Sequence, residues 1–389
     1  MTNYFNLKNE VMCYGCRACE HICPKSAITM AENKEGFIYP LLDKELCVEC
    51  GICERACPYS KTDGMSSPIA VYAAQHKDKE VLQDSSSGGM FSALAEYALS
   101  LGGLVCGSVF DENLRAIHIL SDNPTDVMRM RGSKYVQSDL CGVYPEIRTA
   151  LGEGRTVLFT GTPCQVDGLK RYLGKPYENL LTVDLICHGV PSPKLLFDFL
   201  SSRSDKKKIT DLKFRDKRRN GWRSAGSVTV NGRVKTISPF NQSYYQLYYL
   251  QNNVSRTCCY ECKYATSDRV GDLTIGDYWN IRDVLPGVNA DGGFSAILVN
   301  TENGKRALDA IRHKLVLHET SLSDCVKGNG NLSHPSPKPQ SRAYIYEMIA
   351  DEGYSAVEKK LFKPKKLVPF LRRITPGFVK KLLKKILSK

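Results

Sequence analysis

Eight cysteines fall in two runs of one spacing: Cys13, Cys16, Cys19 and Cys23 in CYGCRACEHICP, then Cys47, Cys50, Cys53 and Cys57 in CVECGICERACP. Each run reads C-x2-C-x2-C-x3-C-P, and the second repeats the first after 34 residues (47 − 13). Three thiolates at i, i+3 and i+6 can wrap one corner of a four-iron cubane, while the fourth, followed by proline, ligates the other cluster. The spacing therefore predicts crossed ligation. One [4Fe-4S] cluster takes Cys13, Cys16, Cys19 and Cys57; the other takes Cys47, Cys50, Cys53 and Cys23. Pro24 and Pro58 stop any helix and fix the backbone around the fourth cysteine. Zinc is the alternative occupant, but zinc is usually held by two Cys-x2-Cys knuckles rather than by three evenly spaced cysteines and a fourth. Two clusters in series move electrons and do not by themselves select a substrate.

A second set of cysteines is dispersed. Cys164 follows the apolar run TVLFTG, Cys187 ends the next such run in DLICHG, and Cys259 and Cys262 form a Cys-x2-Cys in RTCCYECKY. Two cysteines at the ends of successive strands can lie on one edge of a sheet, and a Cys-x2-Cys from elsewhere can complete a four-thiolate site. Cys258 could replace Cys259, and Cys164 and Cys187 could equally be ordinary buried cysteines. Cys106, Cys141 and Cys325 are isolated and read as structural.

Strands and helices must position these groups. The segments 71–76, 104–110, 156–161 and 180–189 read as strands, and 88–101, 144–152, 163–174 and 191–202 as helices. Further on, 209–217 and 227–237 alternate like strands, with a hairpin signal at Asn231-Gly232. The aromatic stretch 238–253 reads as helix, 271–279 and 294–300 as strands, and 303–317 as helix. Such alternation implies a mixed or parallel sheet with helices packed on it. The N-terminal segment resembles a bacterial-type ferredoxin with two clusters, AITMAENKEGFIYPLLD matching its hairpin. The expected fold is thus an α+β ferredoxin module (1–62), a linker by composition at 61–68, an α/β mixed-sheet flavin-binding body (68–335) and a helical tail (336–389).

SSSGGMFSALAEYAL, GSKYVQS, GTPCQVDGL, DLICHGVPSP, RTCCYECKYA, DLTIGDYW and GGFSAILVNT, in this order, resemble the coenzyme F420-reducing hydrogenase/dehydrogenase beta-subunit family over roughly 65–335. The resemblance implies a bound FAD and a third [4Fe-4S] cluster on Cys164, Cys187, Cys259 and Cys262. Flavin dinucleotides carry a pyrophosphate, which backbone N–H groups at small-residue turns can hold. Ser86, Ser87, Gly88 and Gly89 open a helix in that way. Gly132, Ser133, Lys134 and Tyr135 form a second loop, and Gly161 and Thr162 lie at a strand's C-terminal end, where open α/β sheets bind ligands. No G-x-G-x-x-G follows the first strand, so a nicotinamide site of the Rossmann type is not supported. Asp277, with Trp279, stands at a strand end either as a cofactor contact or as a cap or salt bridge. His188 could move a proton or merely satisfy a turn. No catalytic acid is assigned, because a flavin carries the hydride chemistry itself.

The expected function is an iron–sulfur flavoprotein oxidoreductase passing electrons between its clusters and FAD, with a ferredoxin or another oxidoreductase subunit as redox partner. The alternative is an electron-transfer subunit of a larger complex without its own substrate site; a non-redox role with structural clusters is a third reading. Deazaflavin use does not carry over, since no residue here matches such a site. The family context adds polysaccharide biosynthesis as a setting.

Composition bounds the rest. The chain has 389 residues, sixteen of them cysteine, and a net charge of +13. Clustered thiols in so long a chain point to metal ligation in a reducing, cytoplasmic compartment rather than to disulfides. From Lys359 onward there are twelve Lys or Arg and no Asp or Glu, leaving +1 for the other 358 residues (13 − 12). The basic character belongs to the tail, so nucleic-acid binding is not indicated. PGFVKKLLKKILSK (376–389) sorts apolar residues and lysines onto opposite helical faces, which predicts peripheral attachment to an anionic membrane surface. Docking of that helix on protein is the alternative.

Overall fold

The computed structural model describes residues 5, 8–59, 63–203, 209–222, 225–237 and 243–362. Behind the first cysteine run comes an antiparallel hairpin, β1 (Ile28–Glu32) and β2 (Ile38–Leu42). The body is built on eight strands: β3 (Ala70–His76), β4 (Leu104–Phe110), β5 (Ala116–Ser121), β6 (Val157–Gly161) and β7 (Leu180–Leu185), then, beyond a side sheet, β11 (Leu273–Asp277), β12 (Ser295–Val299) and β13 (Leu315–Glu319). The side sheet is antiparallel, with β8 (Ile209–Lys213), β9 (Gly226–Val230) and β10 (Arg233–Ile237).

The main sheet runs β13-β3-β12-β11-β7-β6-β4-β5. Its centre, β4, β6, β7 and β11, is parallel, and antiparallel strands close both sides. Parallel strands covered on both faces read as continuous apolar runs, and β7 is buried from Leu180 to Asp184. The loops leaving the C-terminal ends of these four strands fall along one edge. Local chemistry fixes the helices that follow. Pro163 sits in the first turn of the helix Pro163–Leu173, where its missing N–H costs nothing, and Gln165 accepts from the Thr162 N–H. Gly89, at φ +88°, opens the helix Met90–Ser100.

Several features depart from expectation. The segment 303–317 is helical only over Glu302–Ile311, and Leu315 begins β13, whose pairing with β3 outweighs local helical preference. The run 180–189 leaves the sheet after Leu185, freeing Cys187 and His188 in a loop. The edge strand β5 has no counterpart in the sequence reading. The tail is helical over Ser341–Glu352 and Tyr354–Leu361; the predicted amphipathic helix lies outside the described residues. Among the described residues, no helix is long and apolar enough to cross a membrane.

The cysteine-rich segment is not a detached unit. Phe37 and Tyr39 of its hairpin share a core with Ile345, Ile349 and Tyr354 of the C-terminal helices. Tyr14, Cys16 and Ala18 share another with Tyr144, Phe159 and Leu169. Arg17 pairs with Asp139 (Nη2–Oδ2 2.9 Å), and Arg342 with Glu35 (Nη1–Oε1 2.8 Å).

Candidate functional site

The two runs repeat one backbone. Gly15 and Arg17 have φ of +69° and +59°, and Glu49 and Gly51, at the same places in the second run, have +52° and +69°. These left-handed turns fold each run back on itself. The Gly15 N–H then donates to Cys13 Sγ (3.4 Å) and the Ala27 N–H to Cys23 Sγ (3.3 Å). A small cavity of about 30 Å³ is lined by Cys13, Cys16, Cys19, Cys53 and Cys57. Burial pushes the thiols of Cys13, Cys16 and Cys19 up, and Cys57, from the other run, adds to the shift at all three. Cys53 is raised by burial and, in smaller part, by Cys23. The fourth cysteine of each run therefore meets the other run's set. Cys47 and Cys50 lie toward the solvent side, Cys50 exposed.

The dispersed cysteines converge as well. Cys164 is carried by the helix after β6 and Cys187 by the loop after β7, while Cys259 lies in the short helix Thr257–Glu261 and Cys262 follows it. Burial raises Cys164, and Cys262, Cys187 and Cys259 raise it further. Cys187 is pushed up to about 12 by burial and then by Cys259, and Cys262 to about 11 by the same causes. Cys259 is raised first because its thiol donates a hydrogen bond to the buried Cys258. Gly189 makes room for this group: a Cβ there would stand 3.2 Å from Cys259 Cβ and 2.8 Å from Ser255 Oγ. Buried thiols that hinder one another's ionisation become thiolates only beside a bound cationic centre, and that donor chemistry fits an iron–sulfur cluster. Among the described residues, no three His, Cys, Asp or Glu close on a point that would hold a single metal ion.

The groups adjoin. A Cβ on Gly168, in the helix that carries Cys164, would come within 3.0 Å of Cys16 Sγ. Tyr14 lies between them, its ring 5.4 Å from that of Tyr264 and 5.9 Å from that of Tyr59, and it lines both the small cavity and a larger one.

The larger cavity, about 270 Å³, opens at the C-terminal edge of the main sheet. Cys164 and Cys187 form part of its wall, as do Ser86, Ser87, Gly89, Gly132, Ser133, Lys134, Tyr135, Gly161, Thr162 and Asp277. Gly88 stands behind them, its N–H donating to Ser295 Oγ (2.9 Å), with the Ala74 carbonyl where a Cβ would be. The start of the helix Met90–Ser100 faces the cavity, offering N–H groups to an anion. Lys134 Nζ donates to the carbonyls of Arg129, Met130 and Arg131 at 2.8–3.0 Å, closing the end of the helix Pro124–Met130. Burial brings its pKa down to about 7. Asp277 pairs with Arg215 (2.7 Å) and accepts from Trp222 Nε1 (3.2 Å), so the salt-bridge alternative is realised within the cavity wall. His188 lines the cavity, and burial lowers its pKa. Cys106 is buried in β4, Cys325 is buried, and Cys141 is exposed; none of the three lines the cavity.

Several residues escaped the sequence reading. Arg215 also reaches the Ser86 carbonyl (3.2 Å). Lys217 donates to the carbonyls of Leu82, Gly292 and Ser87, holding the 85–89 loop in place, and burial lowers its pKa to about 7. His118 bonds Ser138 Oγ and the Thr160 carbonyl under the cavity floor. The KFRDK stretch was a visible signal; His118 had none, since its partners lie 20 and 42 residues away.

Three family models match the chain. Two describe the beta subunit of coenzyme F420 hydrogenase/dehydrogenase, its N-terminal part matching residues 71–144 and its C-terminal part 154–324. The third, "4Fe-4S dicluster domain", matches residues 12–61. The dicluster match spans both cysteine runs, and the C-terminal match spans the four dispersed cysteines. The chain is similar to a subunit of the F(420)H(2) dehydrogenase of Methanosarcina mazei, 24% identical over 322 residues that cover 79% of this chain and 84% of that one. Among solved structures it is similar to a chain of the F420-reducing [NiFe] hydrogenase complex from Methanosarcina barkeri. There the TM-score is 0.45 at 18% identity, over 77% of this chain and 94% of the other.

Proposed function

As the chain belongs to the coenzyme F420 hydrogenase/dehydrogenase beta-subunit family, with a 4Fe-4S dicluster domain in front, we propose that it is an iron–sulfur electron-transfer subunit of a larger oxidoreductase complex. The observation that carries this reading is the succession of three cysteine groups. An outer one (Cys23, Cys47, Cys50, Cys53), in which Cys50 is exposed, is followed by an inner one (Cys13, Cys16, Cys19, Cys57), in which Cys16 is buried, and this by the body group (Cys164, Cys187, Cys259, Cys262). Cys16 abuts the helix that carries Cys164. When bound, four-iron clusters supply one-electron carriers. The protein holds them with thiolates, backbone N–H groups and an apolar surround, which together set their potentials. On this reading 1–62 is the ferredoxin-like part, 68–335 the family body and 336–389 the tail. The exposed end of the second run, with Leu46 and Val48 at the surface, is where a redox partner subunit would dock.

A second reading, a flavoenzyme with a substrate of its own, is favoured by the cavity beside Cys164 and Cys187. FAD would lay its pyrophosphate at the Ser86–Gly89 and Gly132–Ser133 loops and supply hydride chemistry next to the body group. Arg215 and Lys217 fix the first loop, and Asp277 holds Arg215. The deciding experiment counts iron and flavin in protein purified without oxygen. About twelve irons per chain, as three four-iron groups require, support the relay. One FAD on the same sample supports the second reading as well. About eight irons and no flavin would remove the body group and the flavoenzyme together.

A further inference from the structure

Arg256 is fully buried at the seam between the first cysteine run and the body. Its hydrogen bonds go to neutral acceptors. Nε donates to the Cys13 carbonyl (2.8 Å), Nη2 to the Ile38 carbonyl (2.9 Å) and Nη1 to Gln137 Oε1 (3.1 Å). The guanidinium also lies 4.0 Å from the centre of the Tyr39 ring. Among the described residues it forms no ion pair with a carboxylate. The comparably buried Arg269 does, with Asp184 at 2.7 Å, and so does Arg215 with Asp277. An isolated buried charge is costly and does not persist uncompensated, and a guanidinium cannot shed its proton. The cysteines about it are Cys13, whose carbonyl accepts from Nε, and Cys259, whose N–H donates to the Arg256 carbonyl (2.9 Å), with Cys258 next to Cys259; all three, and Tyr39, couple to its charge. Burial keeps Tyr39 in its neutral form, so the negative charge must come from the cysteine groups.

We propose that Arg256 is the shared counter-charge of the two inner thiolate groups, a positioning residue that stabilises an added electron on either side of the seam. The inference rests on the relay reading above. Reduction adds one electron to a group that already carries four thiolates; no bond forms or breaks, and no proton is needed, because the added negative charge sits beside a fixed positive one. The outer group's guanidinium is Arg55, which donates to the Cys50 carbonyl (3.3 Å) but stands exposed, where water screens its charge. Arg256 therefore lifts the inner potentials relative to the outer one, drawing electrons inward from the surface. It also lowers the cost of holding two electrons on adjacent groups.

The test is a dithionite titration followed by electron paramagnetic resonance on the full chain, purified without oxygen, comparing the parent with Arg256→Gln and Arg256→Lys. An iron count on the parent comes first. If it lacks the body group, the relay reading fails; if it holds about twelve irons, the inference is on trial alone. With Arg256→Gln, the one-electron reduction constants of the two inner signals are expected to fall at least tenfold, about 59 mV each, while the outer signal stays. With Arg256→Lys, which keeps the charge but loses the planar fork, both inner signals stay within a third of that shift. Equal shifts in the two variants would assign the effect to hydrogen bonding and overturn the proposal. So would a Gln variant with all iron and unmoved potentials, or loss of iron from both variants, which would make Arg256 a folding residue only.

Discussion

The two cysteine runs share spacing and backbone but not surroundings. Position by position, offset by 34 residues, Tyr14 is buried where Val48 is 58% exposed, Cys16 is buried where Cys50 is exposed, and His21 is packed on Tyr144 and Tyr172 where Arg55 faces solvent. The repeated turns fix how thiolates are presented. What covers them fixes what each group can be used for. A group with a ligand at the surface, as Cys50 is, can exchange electrons with a partner, whereas one walled in by Arg256, Gln137 and Tyr264 can only pass them on. On the proposed reading, duplication of the motif supplied two carriers, and packing of one copy into the body divided their roles.

The sharpest way to break this contrast is to remove one ligand from each run. Cys19→Ser takes a thiolate from the walled-in group. Metal binding at buried ligands is coupled to folding, so we expect loss of about four irons and a lower unfolding temperature. Electron delivery from an external donor to the body should fall at least a hundredfold. Cys50→Ser should lose a similar amount of iron from the exposed group and also interrupt delivery, but leave the unfolding temperature of the body unchanged. Iron analysis with anaerobic thermal unfolding checks both. Equal loss of stability in the two variants would mean that burial does not distinguish the runs.

A gentler probe uses the paired backbone positions. Gly15→Ala places a Cβ at φ +69° and 2.6 Å from Gln137 Nε2, against a side chain fixed by Arg256. Strain and crowding together predict a cost of about 2–3 kcal/mol. Glu49→Gly, its counterpart, only relieves a left-handed residue in open surroundings, and should be neutral or stabilising by at most about 1 kcal/mol. Denaturant unfolding of the two variants checks the sign and the ratio.

How far these contrasts were legible in sequence depends on the range of the interactions. The eight N-terminal cysteines are legible from the spacing within each short run, and crossed pairing is the expectation that this spacing carries. The strand–loop–helix units that carry Gly161, Cys164 and Cys187 follow from apolar runs broken by Gly and Pro. Lys134 was legible as a cation in a small-residue loop but not as the clamp on three carbonyls that it is, because that role depends on where the preceding helix ends. The strand at Leu315–Glu319 looked helical because Arg312–Lys314 continue the turn, and only pairing with β3 reveals it. Arg256 stands two residues before a cysteine pair, yet its role as a buried cation needs partners 119 to 243 residues away. Asp277 and Arg215, 62 residues apart, likewise meet only once the side sheet folds over the main one.

The smallest expected effect concerns the seam that makes the first run the inner one. Arg17 is held by Asp139, and Asp139 is in turn fixed by its backbone bonds to Ala116 and His118 at the start of β5. His118 is buried, and burial lowers its pKa to about 4 from an ordinary 6.5. The folded state therefore keeps the ring neutral, while the unfolded chain binds a proton below pH 6.5. Its contribution to stability is complete above about pH 6.5, declines as the pH falls toward 4, and is level below that. Between pH 7.5 and 5.5 the loss is about 1.4 kcal/mol, or tenfold in the local opening constant. Hydrogen exchange of residues 116–121 and 138–140, corrected for intrinsic rates, should show that tenfold loss of protection, and His118→Gln should flatten it. The hairpin end at residues 43–50 should show no dependence on His118 at all. If it did, the two runs would open as one unit, and the division between a buried relay and an exposed docking end would have to be drawn elsewhere.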